Sequence, residues 1–328
     1  MTGKVTNSRT HLLFLCGGRR VKLLKSFRAA LSQANGGLVL TTDTERVSAT
    51  AFVSDRTFLV PPCSEVEAFA AQVAKICSVE QVAAVIPLTC ASVATVPVLR
   101  SMTDTLIVSG NTRAVEICTD KKKTYEFLSS LSIPTPEFFS DPRPDQLPVF
   151  FRGRFSEGSR DACAVRSVSA LENLKRRPHG IFTQHVSGRE FSIDGYKDLQ
   201  SRIVCLVSRE RLRIRAGEVE KSVTSLQPRL LSLVHRAAEA LDFVGPFTVQ
   251  AIESEGDFYI TELNLRYGGG VTLSISAGMN SPEWLIQELR GGGAPPSPEI
   301  RWGLGMVRYD EEFYFSDTED SFKSKPLE

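Results

Sequence analysis

The stretch Thr261–Glu262–Leu263–Asn264–Leu265–Arg266, running into Tyr267–Gly268–Gly269–Gly270, decides how this chain is read. It follows Phe258–Tyr259–Ile260, an aromatic and β-branched run that predicts a strand. Side chains alternate faces along a strand, so Glu262, Asn264 and Arg266 project from one surface. A carboxylate, an amide oxygen and a fixed positive charge then stand in a row. Hard oxygen donors suit Mg²⁺, which keeps water and substrate phosphates as further ligands. An arginine beside them suits charge on a transferring phosphoryl group. On these residues alone a solvated edge strand is the simpler reading; the remainder of the chain reverses that preference.

Working outward, residues before that strand fall into two styles. The first hundred or so alternate short apolar runs with helical spacing: strands at His11–Cys16, Leu38–Thr42, Ala83–Leu88 and Thr105–Ser109, and a helix stripe of Val21, Leu24, Phe27 and Leu31. Ser64 with Glu67 reads as a capping box that opens a helix through Phe69, Val73 and Ile76. This alternation predicts a parallel sheet covered by helices. Thr119–Asp120 predicts the cap of a helix over 121–131, stopped by Pro134 and Pro136. From Pro148 onward strand-like runs dominate, interrupted by a helix with Leu230, Val234, Ala237 and Leu241 on its stripe. Pro282 predicts the first position of a further helix, Gly291–Pro296 a linker, and the polar end from Tyr309 a partly disordered tail.

At 328 residues two or three subdomains are expected. A net charge of +1 gives no electrostatic case for nucleic acid or an anionic membrane. No apolar run has the length of a membrane span, and the first ten residues lack the core of a signal peptide. Seven dispersed cysteines without a CxxC suggest reduced thiols in a cytoplasmic protein. No Walker-type loop is present, and Cys16–Gly17–Gly18–Arg19–Arg20 is not a dinucleotide fingerprint. A nucleotide would have to be held another way.

Taken in order, the segments resemble the ATP-grasp superfamily, and within it proteins similar to the carbamoyl-phosphate synthase large chain. The resemblance runs from about His11 to Arg308 through Cys16–Val21, Asp120–Lys121, Pro148–Arg152, Gly158–Ser159, Gly188–Glu190, Arg213–Glu218, Gln250 and Glu262–Arg266. It implies a mixed α/β and α+β fold: a pre-ATP-grasp parallel-sheet domain over 1–112 and an ATP-grasp module over 113–305. That module would divide into a small lid subdomain at 113–183 and a second subdomain at 184–305, followed by an acidic polar tail at 306–328.

The same resemblance implies a set of roles. Lys121 and Arg152 would bind ATP phosphates, with arginine replacing the usual lysine at 152. Gly158 and Ser159, flanked by Arg154, Glu157 and Arg160, would lie in the phosphate-covering loop, where Ser156 and Asp161 stand in usual glycine places. Gln184, His185 and Val186 would form the adenine hinge, and Glu190 would accept from the ribose. Gln250, Glu262 and Asn264 would hold two Mg²⁺ ions, and Arg266 would stabilise the transferred group. Arg213 and Arg215, with Glu218, would clamp the acceptor carboxylate, although a solvated hairpin explains that run equally well. The activity implied is ATP-dependent joining of a small carboxylate to an amine, with a homodimer as the expected assembly. A degenerate nucleotide-binding regulatory subunit is the alternative.

Overall fold

The computed structural model describes residues 10–155, 162–215, 217–293 and 295–316. Its first sheet is parallel, built from β1 (His11–Leu15), β2 (Val39–Asp43), β3 (Arg56–Leu59), β4 (Val82–Pro87) and β5 (Leu106–Ile107), in the order β3-β2-β1-β4-β5. Every residue of the β1 run Leu12–Leu15 is fully buried, because helices cover both faces of the sheet. Leu13 and Leu15 join the core of α2 (Val66–Val79), whereas Leu12 and Phe14 join that of α1 (Val21–Gln33). Burying each such side chain contributes about 1.5–3 kcal/mol.

One expectation fails here. The capping box at Ser64 does not form: α2 begins at Val66, and its N-cap Glu65 makes no side-chain cap bond. Glu65 N–H instead closes a turn onto the Pro62 carbonyl, so the chain enters the helix one residue late. Thr89, by contrast, caps α3 (Cys90–Ala94) in a reciprocal pair with Ser92, just ahead of α4 (Val96–Arg100).

Helices α5 (Thr112–Thr119) and α6 (Lys121–Ser130) lead into a four-stranded antiparallel sheet. It comprises β6 (Phe138–Phe139), β7 (Val149–Gly153), β8 (Ala162–Val165) and, after α7 (Val168–Lys175), β9 (Gly180–Gln184). Its small core is Val149, Phe151, Val165, Leu171 and Phe182. Asp120 caps α6 as the sequence predicts, accepting from the Lys122 and Lys123 N–H groups. It also accepts from Arg154 Nε at 2.7 Å and Nη2 at 2.6 Å, a bidentate pair joining α6 to the end of β7.

Burial alone would raise the Asp120 carboxyl, but the Arg154 guanidinium and the helix N–H groups hold it below its ordinary value. A depressed folded-state value gives stability that is present above the unfolded carboxylate range, near about 3.9, and is lost as pH falls through the folded value. Asp120→Asn keeps the cap but removes this charge. Its urea midpoint is therefore expected to lie below wild type at pH 7 and to converge with it as pH falls through the lowered folded value. A constant gap across that range would show that the ion pair contributes nothing.

The third sheet is antiparallel, in the order β14-β13-β10-β11-β12-β15. Its strands are β10 (Arg189–Lys197), β11 (Ile203–Arg215), β12 (Glu218–Thr224), β13 (Gly245–Ser254), β14 (Asp257–Asn264) and β15 (Gly305–Val307). Helix α8 (Pro228–Glu239) buries Leu230, Val234 and Ala237, as its periodicity predicts. The short α9 (Val271–Ser276) and α10 (Ser281–Leu289) follow β14. Strand β15 was not foreseen; it pairs with Lys221–Val223 at the sheet edge. Beyond it the described part of the tail is docked, with Phe313 stacked on Phe52 at 5.0 Å. Residues 317–328 lie outside the described residues.

Candidate active site

Antiparallel register assembles the site. Glu262 on β14 stands opposite Gln250 on β13, which stands opposite Ser192 on β10, which stands opposite Arg209 on β11. Directly opposed residues share a face, so four strands present one polar row. All four side chains line a cavity of about 750 Å³, together with Lys121, Asn264 and Arg266. The opposite wall comes from the first sheet, through the Cys16–Arg20 turn after β1 and Thr89–Cys90 after β4. Both lie at carboxyl ends of parallel strands, where open α/β sheets place ligands. Thr42 supports this wall by accepting from the Cys16 N–H with its hydroxyl and from the Gly17 N–H with its carbonyl.

Glu262 is the acidic centre of the cavity. One carboxylate oxygen takes a short charge-assisted bond from Arg152 Nη2, and the other accepts from Asn264 Nδ2 at 3.4 Å. Arg152 is anchored in turn by donating to Tyr125 Oη at 3.1 Å and the Thr261 carbonyl at 3.3 Å. Burial would raise the Glu262 carboxyl, but Arg152, Lys121, the Asn264 bond and Arg266 together hold it below the usual carboxylate range. It stays ionised. Asn264 Oδ1 accepts from the Cys90 thiol at 2.9 Å, a contact spanning 174 positions that sequence reading did not anticipate. Arg211 was given no individual role there, yet it bridges Glu190 (2.9 Å) and the Gln250 amide oxygen (3.2 Å). Its burial lowers its own ordinary value despite those partners.

The structure therefore gathers Lys121, Gln250, Glu262, Asn264 and Arg266 in the cavity wall, with Arg152 ion-paired to Glu262 beside them. Glu190, Gln184, His185 and Val186 are not part of that wall. Glu190 approaches it only through Arg211. The Gln184 N–H is bound to the Glu137 carbonyl, and the His185 ring lies 6.3 Å from that of Phe150. Arg213 and Arg215 stand on the exposed end of β11, paired with Glu220 and Asp310. Gly158 and Ser159, with Ser156, Glu157, Arg160 and Asp161, lie outside the described residues.

The donor set can be tested against magnesium. It offers one carboxylate and two amide oxygens, and both amide oxygens already accept from protein donors. Among the described residues no group of three His, Cys, Asp or Glu is placed to hold a metal. Cations surround Glu262, while Arg152 Nε is buried with no hydrogen-bond partner among the described residues. Such a set fits a hard cation that arrives with phosphate oxygens, and not one bound by the protein alone.

Residues 12–106 match the family model described as "PylC-like, N-terminal domain". Residues 176–311 match the model "ATP-grasp in the biosynthetic pathway with Ter operon". The chain carries an ATP-grasp domain. A carbamoyl-phosphate synthase from Methanobrevibacter smithii is 27% identical over 104 residues, covering 29% of this chain and 28% of that one. The match thus spans little more than a quarter of that relative's length.

Solved structures of similar fold reach much further along the chain. N5-carboxyaminoimidazole synthetase from Staphylococcus aureus, complexed with ADP, superimposes with a TM-score of 0.72 at 16% identity, covering 89% of this chain and 80% of that one. L-amino acid ligase from Bacillus licheniformis gives 0.69 at 16% identity, covering 87% and 75%. At such identity these likenesses establish the fold. No helix among the described residues is long and apolar enough to cross a membrane.

Proposed function

We propose that this protein is an ATP-dependent carboxylate–amine ligase. The observation that carries the reading is Glu262, held ionised in a cavity whose other charged wall groups are mainly cationic. In the reaction the carboxylate of one substrate attacks the γ-phosphorus of ATP, giving an acyl-phosphate and ADP. The amine of a second substrate then displaces phosphate to form an amide, so that two easier steps replace one difficult condensation. Lys121 and Arg152 bind phosphate oxygens, with Arg152 exchanging Glu262 for the nucleotide. Arg266 stabilises charge on the transferring group. Magnesium carried by the nucleotide, held by Gln250, Glu262 and Asn264, would neutralise phosphate charge. Gly158 and Ser159 are assigned to the phosphate cover, Gln184–Val186 to the adenine, Glu190 to the ribose, and Arg213 and Arg215 to the hairpin over the acceptor. Support comes from the fold shared with an L-amino acid ligase and an ADP-bound synthetase. The reading includes a cytoplasmic location, where dispersed thiols stay reduced.

One observation favours a second reading. Arg152 already neutralises the carboxylate that a metal would need, as a nucleotide-responsive regulatory subunit without turnover would allow. ADP release from ATP and Mg²⁺ with pooled carboxylates and amines separates the two. Release that requires both a carboxylate and an amine is expected for the ligase. Tight nucleotide binding with no stimulated release across broad pools would select the regulatory subunit.

A further inference from the structure

Beyond the Glu262 end, the cavity has a second half that the phosphate chemistry does not use. Its floor is Gly268–Gly270, and two arginines press on it from different elements. A Cβ added to Gly269 would lie 2.7 Å from Arg20 Nη1, and one added to Gly270 would lie 2.5 Å from Arg209 Nη1. Only glycine leaves room for both guanidinium groups at the backbone.

Arg209 is 1% exposed. It donates from Nε and Nη2 to Asp194 at 2.6 and 3.2 Å, while its Nη1 has no hydrogen-bond partner among the described residues. A buried charged donor left unmet is costly, which points to a ligand at this position. Arg20 stands 3.4 Å from Glu218, a carboxylate that also accepts from Arg308 at 2.7 Å. Burial would raise Glu218, but Arg20, Arg308 and Arg19 hold it below its ordinary range. Because Arg308 remains on Glu218, Arg20 is able to turn to a new anion without stranding that carboxylate.

The charge balance agrees. The described wall carries six cationic side chains (Arg19, Arg20, Lys121, Arg209, Arg211, Arg266) against Glu218 and Glu262. Asp194 and Glu190 behind it each neutralise one arginine, Asp310 is shared between Arg19 and Arg215, and the balance stays cationic.

We propose that Arg20 and Arg209, seated on Gly269 and Gly270, form a carboxylate subsite for a second acidic group of the co-substrate, which is therefore a dicarboxylate or an acidic amino acid. The Arg20 guanidinium and the unmet Arg209 Nη1 can each donate to one oxygen of a planar carboxylate. The assignment of the bound molecule as co-substrate rests on the ligase reading; the subsite itself does not need turnover.

The test is calorimetric titration of the intact protein with glutarate, with butyrate as the single-carboxylate control and inorganic phosphate as the competing anion. Glutarate is expected to bind about tenfold tighter than butyrate or phosphate. Arg20→Gln, and Gly269→Ala whose methyl presses on the flexible ends of Arg20 and Glu218, are each expected to remove most of that preference. No glutarate binding, equal binding of glutarate and butyrate, a preference for phosphate, or a preference intact in both variants overturns the proposal. If ADP is never released but the glutarate preference stands, the ligase reading fails and the subsite survives.

Discussion

Replacing Glu262 by glutamine is expected to lower substrate-stimulated ADP release by about 10²–10³-fold, the loss found when a charge-stabilising group is removed from an active site. The substitution is isosteric, so the strand and its pairing with β13 should persist. What changes is charge: Arg152, Lys121 and Arg266 all act on the Glu262 carboxylate. The glutamine oxygen still accepts from Arg152, so the stability cost should be moderate, about 1–3 kcal/mol, and not that of a stranded buried ion. Release kinetics over a Mg²⁺ titration, together with a urea midpoint, separate these effects. Undiminished release with the same Mg²⁺ dependence would remove Glu262 from the metal assignment.

Arg209→Ala should be the most damaging change to stability. Asp194 is fully buried and accepts from Arg209 twice, from Thr248 Oγ1 at 3.0 Å and from Ser274 Oγ at 2.6 Å. Without the guanidinium two hydroxyl donors remain, and the carboxylate has lost its counter-charge. Breaking a buried pair from one side costs about 3–5 kcal/mol, a large part of a typical domain's total stability. Pairing Arg209→Met with Asp194→Asn removes both charges and should recover much of the loss. Urea unfolding with an unchanged slope measures both variants. A single variant within about 1 kcal/mol of wild type would mean that solvent reaches Asp194.

The arginine series on β11 shows what sequence could and could not convey. Arg209, Arg211, Arg213 and Arg215 alternate in sequence along β11, and sequence reading assigned a role only to Arg213 and Arg215. Their exposures are 1%, 9%, 62% and 55%, so the strand passes from core to solvent, across a register shift between Arg211 and Arg213. Alternation fixes the face of a side chain; the depth depends on neighbouring strands and on the glycine floor packed above. Arg266 lies past the end of β14, in a bend, yet lines the same cavity; Glu262 and Asn264 were legible because a strand pair needs only local alternation. The Asp120 cap was legible for the same reason. The bonds from Arg152 to Glu262 and from Cys90 to Asn264 join chain segments 110 and 174 positions apart. No local periodicity encodes such meetings.

Asp310, on the docked tail, accepts from Arg215 of the hairpin at 2.6 Å and stands 3.6 Å from Arg19 of the first-sheet turn. One carboxylate thus ties two rims of the cavity to the tail. It is more than half exposed, so water screens both contacts. The hold of Asp310 on these two arginines is therefore one that rising salt loosens.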